Sequence, residues 1–139
     1  MIQITKDDVI RSVRELISER GAQYVNPRYK ATLNEELGID AVTDEPTPNG
    51  NDYDGICRYV APDGTASCIV GSVLAKAGVT TEALSLCEGT SARQTLDKLH
   101  HEDVTRVDND ADHLLVDLQS HQDSGKPWGA VAELAGITV

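Results

Sequence analysis

Apolar residues recur at helical spacing near the start of this chain. Between residues 5 and 20 they fall on one face of a helix, at Val9, Val13, Leu16 and Ile17. Thr5 precedes this stretch and Asp8 follows Thr5 by three residues, which is the spacing of a capping box. Gly21 can adopt the left-handed conformation that ends a helix. The pattern therefore predicts a first helix over residues 5–20.

The same spacing returns in the second half of the chain. It predicts five more helices, at residues 68–77, 80–86, 91–100, 109–122 and 126–136. We expect Thr65 or Ser67 to cap the first of these. Gly71 lies inside that helix, where glycine costs stability, so we expect a neighbouring element to approach it closely. Trp128, the only tryptophan, is expected to anchor the last helix.

The pattern is weaker between the first helix and residue 55. Residues 31–39 predict a short helix that ends at Gly38. Residues 43–55 contain two prolines, two glycines, two asparagines and four acidic residues, a composition typical of an exposed loop. Such a loop either connects two elements or serves as a mobile contact arm.

A strand, a tight turn and a returning strand are predicted between residues 56 and 68. Pro62 presets the backbone for a type I turn, and Gly64 suits the last position of that turn. The sequence thus predicts one domain over residues 1–139 that is mainly α within the α+β class. It has about five to seven helices and one short β-hairpin near residues 56–67.

The register of this hairpin decides whether Cys57 and Cys68 meet. A two-residue loop places the two thiols opposite each other, whereas a bulge at Gly64 places Cys68 opposite Arg58. The chain has three cysteines, and an odd number fits a reducing compartment better than a disulfide framework. Free cysteine is among the most buried residue types, so the favoured interpretation is that both thiols pack in the interior.

An alternative role for Cys68 is that of a nucleophile. A cysteine in the first turn of a helix has its thiolate stabilised by unpaired backbone N–H groups. A cysteine-dependent hydrolase or transferase also needs a histidine base, and no local signature ties any of the four histidines to Cys68. No catalytic residue and no cofactor are therefore predicted, with Cys68 kept as the catalytic alternative.

Acidic residues dominate the charge of the chain, which carries 23 acidic and 12 basic side chains and a net charge of −11. This excess argues against binding to nucleic acid or to anionic membranes, both of which require lysine and arginine. No apolar run approaches the length of a membrane span, and residues 1–10 lack the pattern of a signal peptide. The expected location is the cytoplasm.

Part of this charge is concentrated between residues 97 and 123, which hold eight acidic residues, two basic residues and all four histidines. We predict a binding surface for a protein partner here, made of Asp108, Asp110, Asp112, His113, Asp117 and His121. His113, Asp117 and His121 share one helix face at a spacing of four, so they form an alternative metal site. A solvated helix face has the same pattern.

Two segments carry a resemblance to known proteins, "CRYVAPDGTASCIVGSVLAKAGV" at residues 57–79 and "LLVDLQSHQDSGKPWGAVAEL" at residues 114–134. They resemble small uncharacterised proteins of actinobacteria and their phages. The matching residues are Cys57, Tyr59, Cys68, Val70, Gly71, Gly78, Val79, Gln122, Asp123, Gly125, Trp128, Gly129, Ala130 and Val131.

The resemblance implies a phage or prophage accessory protein that acts in a bacterial cytoplasm, and it implies no activity. Together with the charge, it leads us to expect a protein that binds a bacterial host protein through an acidic surface. A cysteine-dependent enzyme and a small metal-binding domain are the alternatives.

Overall fold

A computed structural model describes residues 1–34, 38–46 and 57–138 of the chain. These parts form a small α+β fold dominated by helices, as predicted. The helices are α1 (Lys6–Arg20), α2 (Ile69–Lys76), α3 (Thr81–Ser85), α4 (Ala92–His101), α5 (Asn109–Asp123) and α6 (Trp128–Leu134). The strands are β1 (Ile2–Ile4), β2 (Tyr29–Asn34), β3 (Gly38–Pro46) and β4 (Thr105–Val107).

Helix α1 begins with the predicted capping box. The Asp8 backbone N–H donates to the Thr5 hydroxyl at 3.2 Å, and the Thr5 N–H donates to the Asp8 carboxylate at 3.0 Å. The helix buries the predicted apolar face together with Ser12. At its end, Gly21 adopts a φ of 96°. Local sequence alone therefore defines this helix from start to stop.

A parallel strand pair that the sequence pattern did not predict joins two distant parts of the chain. Strand β1 pairs with β4 in the register Ile2 to Thr105 and Ile4 to Val107. The backbone ladder continues where the Asp108 N–H donates to the Ile4 carbonyl at 3.0 Å. Because α1 follows β1 and α5 follows β4, the pair places the starts of these helices side by side.

The short helix predicted over residues 31–39 is wrong. Strands β2 and β3 form an antiparallel hairpin there, with register shifts between Tyr29 and Ala31 and between Thr32 and Leu33. Asn26 and Pro27 disfavour helix just before this segment, and a partner strand supplies the backbone hydrogen bonds instead. Of the loop predicted over residues 43–55, the first four residues belong to β3, and the rest lies outside the described residues.

Arg58 fastens this hairpin to the body of the protein. Its guanidinium donates to the Thr43 carbonyl at 3.2 Å and pairs with the Asp44 carboxylate. On the other side it donates to the Val60 carbonyl at 2.7 Å and to Glu88 at 3.0 Å. The rigid fork of arginine suits such a junction, because it presents several donors at fixed angles.

The predicted β-hairpin near residues 56–67 is shorter than expected, since only Val60 and Ala66 form a β-bridge among its described residues. The Cys68 N–H donates to the Arg58 carbonyl at 2.9 Å, so Cys68 lies across from Arg58 and not from Cys57. Gly64 has a φ of 88°, which identifies the bulged register. All three cysteines are free thiols.

Helix α5 lies at the centre of the packing, in contact with α1, α2, α4 and α6. The core between these helices is largely aliphatic, and α2 buries every residue from Ile69 to Leu74. Trp128 is fully buried, and its backbone N–H donates to the Tyr24 carbonyl at 2.8 Å, which confirms its role as an anchor. A Cβ added at Gly71 would lie 2.6 Å from the Tyr59 carbonyl oxygen, so the expected close approach is confirmed.

This contact predicts whether a substitution at Gly71 raises or lowers the free energy of unfolding. In an unhindered helix, Gly71→Ala would stabilise the protein by about 1 kcal/mol through helix propensity. Here the added methyl group meets backbone, so we expect a loss of about 1–3 kcal/mol in the free energy of unfolding, measured in urea. A stabilised variant would contradict the close approach of Tyr59.

Candidate functional site

Helix α2 begins inside the protein, and side chains of α5 satisfy its first backbone N–H groups. The Ile69 N–H donates to Gln122 Oε1 at 2.7 Å, and the Val70 N–H donates to Gln119 Oε1 at 3.4 Å. The Gly71 N–H donates to Cys68 Sγ at 3.3 Å. The cap is therefore Cys68 with help from α5, and the prediction of Thr65 or Ser67 is wrong.

Cys68 is fully buried at this cap. Burial raises the pKa of its thiol well above the ordinary value, and this effect outweighs the lowering by the Gly71 N–H. None of the hydrogen bonds among the described residues joins Cys68 to a histidine. The thiol acts in packing and capping, as the favoured interpretation predicts, and its burial argues against a nucleophile.

The two glutamines also hold Asp123 in place. Gln119 Nε2 donates to Asp123 Oδ1 at 3.2 Å, and Gln122 Nε2 donates to the same oxygen at 3.3 Å. The Cys57 thiol lies close to the Asp123 carboxylate, and each of the two groups affects the pKa of the other. We call Gln119, Gln122 and Asp123 the Gln–Asp junction, which links the start of α2 to the end of α5.

Asp123 opens onto a cleft between the start of α4 and the end of α5. The cleft consists of an outer cavity of about 350 Å³ and an inner cavity of about 60 Å³. The two cavities share Ser91, Ala92, Gln119 and Asp123. The outer cavity adds Arg93, Val116, Ser120 and Ser124, and the inner one adds Cys57, Tyr59 and Thr90. This α4–α5 cleft was not predicted from the sequence.

A chain of hydroxyl groups lies behind the inner cavity. The Thr95 hydroxyl donates to the Tyr59 hydroxyl at 2.9 Å and lies 2.8 Å from the Thr90 hydroxyl. The Tyr59 hydroxyl in turn donates to the Thr90 carbonyl at 2.9 Å. These bonds satisfy the polar atoms of the wall, so the wall is rigid and has a fixed orientation.

Three titratable groups with shifted pKa values meet in this cleft. Desolvation raises the pKa of Asp123, which is still exposed to solvent, while the nearby Cys57 thiol and the charge of Arg28 oppose that rise. Burial raises the pKa of Cys57 to about 12, with Asp123 contributing in the same direction, and burial also raises the pKa of Tyr59. Groups of this kind gathered in a cleft mark a candidate functional site. The Cys57 thiol stays protonated at neutral pH, so the cleft suits binding better than nucleophilic chemistry.

The structure divides the six residues of the predicted binding surface. Asp108, Asp110, His113 and Asp117 are exposed, while Asp112 and His121 are half-buried. None of the six side chains takes part in a hydrogen bond or ion pair with another described residue. Asp112 Oδ1 is itself buried without a hydrogen-bond partner in the described part of the chain.

A small cavity of about 210 Å³ lies beside Asp112, between α4 and α5. Its lining combines two apolar side chains with three titratable ones, Leu96 and Val107 with Asp97, His100 and Asp112. We call it the acidic pocket. Within residues 1–34, 38–46 and 57–138, no group of three or more His, Cys, Asp or Glu side chains is arranged to hold a metal ion. The row of His113, Asp117 and His121 therefore does not converge.

An open groove of about 710 Å³ lies between α1 and α6. Its lining is mostly apolar and includes Ile17, Ala22, Pro127 and Ala130, with Arg14 and Glu133 among the charged residues. Of its charged side chains, Arg14 donates from Nε to the Thr138 carbonyl at 2.8 Å. The groove is mainly an apolar surface, so it indicates the chemistry of a ligand less clearly than the smaller α4–α5 cleft.

No protein-family model, no curated protein and no solved structure matches this chain. In the described part of the chain, none of the helices has the length and apolar character needed to cross a bilayer.

The Gln–Asp junction predicts unequal effects for neighbouring substitutions on α5. Gln122→Ala leaves the buried Ile69 N–H without an acceptor, which costs about 1–3 kcal/mol in the free energy of unfolding. The Ser120 side chain is exposed and makes no hydrogen bond with the described residues, so Ser120→Ala should change this free energy by less than about 0.5 kcal/mol. Equal values from urea denaturation would show that the glutamine cap contributes nothing.

The raised pKa of Asp123 predicts that the stability of the protein depends on pH. Because its pKa is raised in the folded state, its contribution to stability is greatest at low pH and is lost as the pH rises through the folded-state pKa. Asp123→Asn removes this loss, so the variant should gain stability relative to the wild type between pH 3.8 and neutral pH. Urea denaturation across that pH range measures the effect. Asp117→Asn is the control for the loss of one exposed charge. A difference that does not vary with pH would contradict it.

Proposed function

We propose that this protein binds a basic surface of a partner protein through an acidic face. By acidic face we mean the seven carboxylates on α4, on α5 and on the segment between these helices, Asp97, Glu102, Asp103, Asp108, Asp110, Asp112 and Asp117. The observation that carries the proposal is that none of these seven forms an ion pair among the described residues. Six of them are exposed and Asp112 is half-buried.

Like charges repel, so seven carboxylates between residues 97 and 117 favour the approach of lysine or arginine side chains of a partner. Exposed charges lose little hydration in such a contact, so their main effects are on the rate of association and the choice of partner. Carboxylates elsewhere in the described chain do have basic partners, since Lys76 pairs with Glu15 and Glu19, and Arg58 pairs with Glu88. The acidic face is left uncompensated by comparison.

The acidic pocket supports the same proposal, because it can accept one basic side chain of the partner protein. Leu96 and Val107 provide apolar walls for the methylene groups of a lysine or arginine, and Asp97 and Asp112 provide acceptors for its charged end. Long basic side chains combine these two characters. A basic residue of the partner would therefore fit this position.

The resemblance described above supports a phage or prophage origin and a partner among the proteins of the bacterial host. On this proposal the protein acts in the bacterial cytoplasm as a binding protein and not as an enzyme. The exclusion of nucleic acid and anionic membranes follows from the same charge that favours a basic protein surface.

Neutralising part of the face tests the proposal. We expect the triple variant Asp110→Asn, Asp112→Asn and Asp117→Asn to lose at least roughly tenfold in association rate with a captured host protein, because steering depends on this local charge. The matched control, Asp7→Asn, Glu82→Gln and Glu133→Gln, removes three charges at other exposed positions and should lose much less. Affinity purification from host lysate identifies the partner, and surface plasmon resonance at two salt concentrations measures the rates.

Equal association rates for the two triple variants would show that total charge and not the acidic face matters. Equal recovery of the partner by wild type and by the surface variant at both salt concentrations would remove the proposal.

A further inference from the structure

The α4–α5 cleft presents a carboxylate whose acceptor capacity is only partly used. An ionised carboxylate can accept about four hydrogen bonds. Asp123 Oδ1 accepts two from the side-chain amides of Gln119 and Gln122, and the Cys57 thiol lies close to the same carboxylate. Asp123 lines both cavities of the cleft and is exposed to solvent, so its remaining capacity is open to a ligand there.

The orientation of this carboxylate is fixed before any ligand arrives. Gln119 and Gln122 are themselves held by the buried N–H groups of Val70 and Ile69. Because these two amides are anchored at both ends, Asp123 cannot rotate away without disturbing the cap of α2. A binding group held in this way loses little conformational entropy when a ligand binds.

The carboxylate in the cleft favours a cationic ligand. Asp123 is the one carboxylate among the described residues that line the two cavities, and Arg93 lines the outer cavity but not the inner one. A positive charge held in the inner cavity would therefore lie against Asp123 and apart from Arg93. A metal ion does not fit, because the described residues offer no three-ligand group, whereas an organic cation needs only one carboxylate and neutral acceptors.

The shape of the cleft limits the size of that cation. The inner cavity of about 60 Å³ holds roughly two water molecules or one ammonium group with a methylene. The outer cavity adds a short apolar wall at Ala92 and Val116 and the hydroxyls of Ser91, Ser120 and Ser124. We propose that the α4–α5 cleft binds a small primary ammonium ion, which donates to Asp123 and lays a short alkyl chain against Ala92 and Val116.

This site is separate from the acidic face, with which it shares no residue, so either proposal can fail without the other. The negative charge of the whole molecule raises the local concentration of small cations near the cleft. The side-chain amides of Gln119 and Gln122 touch Asp123 directly, and their NMR signals therefore report on binding.

Titration with butylammonium chloride at constant ionic strength tests the proposal. We expect saturable shifts of the Gln119 and Gln122 side-chain amide signals, with a dissociation constant on the order of 1 mM. Asp123→Asn should weaken binding at least roughly tenfold, because it removes the charge that the ammonium group contacts. Asp117→Asn removes the same charge from the same helix outside the cleft and should change the affinity by less than about twofold.

A second variant keeps Asp123 intact. Ser120→Leu places a large side chain in the outer cavity from an exposed position of α5, so it should weaken binding while leaving the fold and the carboxylate unchanged. Butanol, the uncharged analogue, should produce no saturable shift at the same concentrations.

Three outcomes would overturn the proposal. The first is the absence of saturable shifts in the wild type. The second is equal affinity for butanol and butylammonium, which would make the cleft an apolar site. The third is equal weakening by Asp117→Asn and Asp123→Asn, which would reduce the effect to the general attraction of cations to an acidic protein.

Discussion

Helix α2 begins inside the protein, and its packing depends on the hydrogen bonds that its first backbone N–H groups make there. The first N–H groups of any helix lack partners within the helix, and at a buried start water cannot supply them. Here Gln122 and Gln119 reach across from α5, and Cys68 accepts the third bond from its own cap position. The packing of α2 against α5 is therefore directional, because a shift of either helix would leave buried donors unpaired.

This requirement explains why two distant segments of the sequence meet. The segments at residues 57–79 and 114–134 are joined through the Gln–Asp junction, and Cys57 lies beside Asp123 in the inner cavity of the α4–α5 cleft. Cys57, Gln122 and Asp123 thus belong to one polar structure. The same contacts that satisfy the start of α2 also shape the α4–α5 cleft, so structure and candidate function share these residues.

Local patterns predicted the helices well, because capping residues and apolar spacing lie within each segment, as in α1 and α5. The hairpin register was reduced to two alternatives, and only the bulge at Gly64 distinguished them. Strand β1 could not be predicted, because three residues are too few to show the alternation of apolar and polar positions that marks a strand. Its partner strand β4 is also distant in the sequence. The sequence also does not indicate that the side chains of Gln119 and Gln122 are buried, because glutamine is ordinarily a surface residue. Asp123 could not be singled out among 23 acidic residues without that contact.

The pairing of β1 with β4 has a consequence for synthesis on the ribosome. Ile2 finds its partner at Thr105, about 100 residues later in the chain. The ladder that sets α1 beside α5 therefore cannot close until most of the polypeptide has left the exit tunnel. Until then the apolar face of α1 is exposed to solvent, and a nascent chain in that state is expected to bind chaperones.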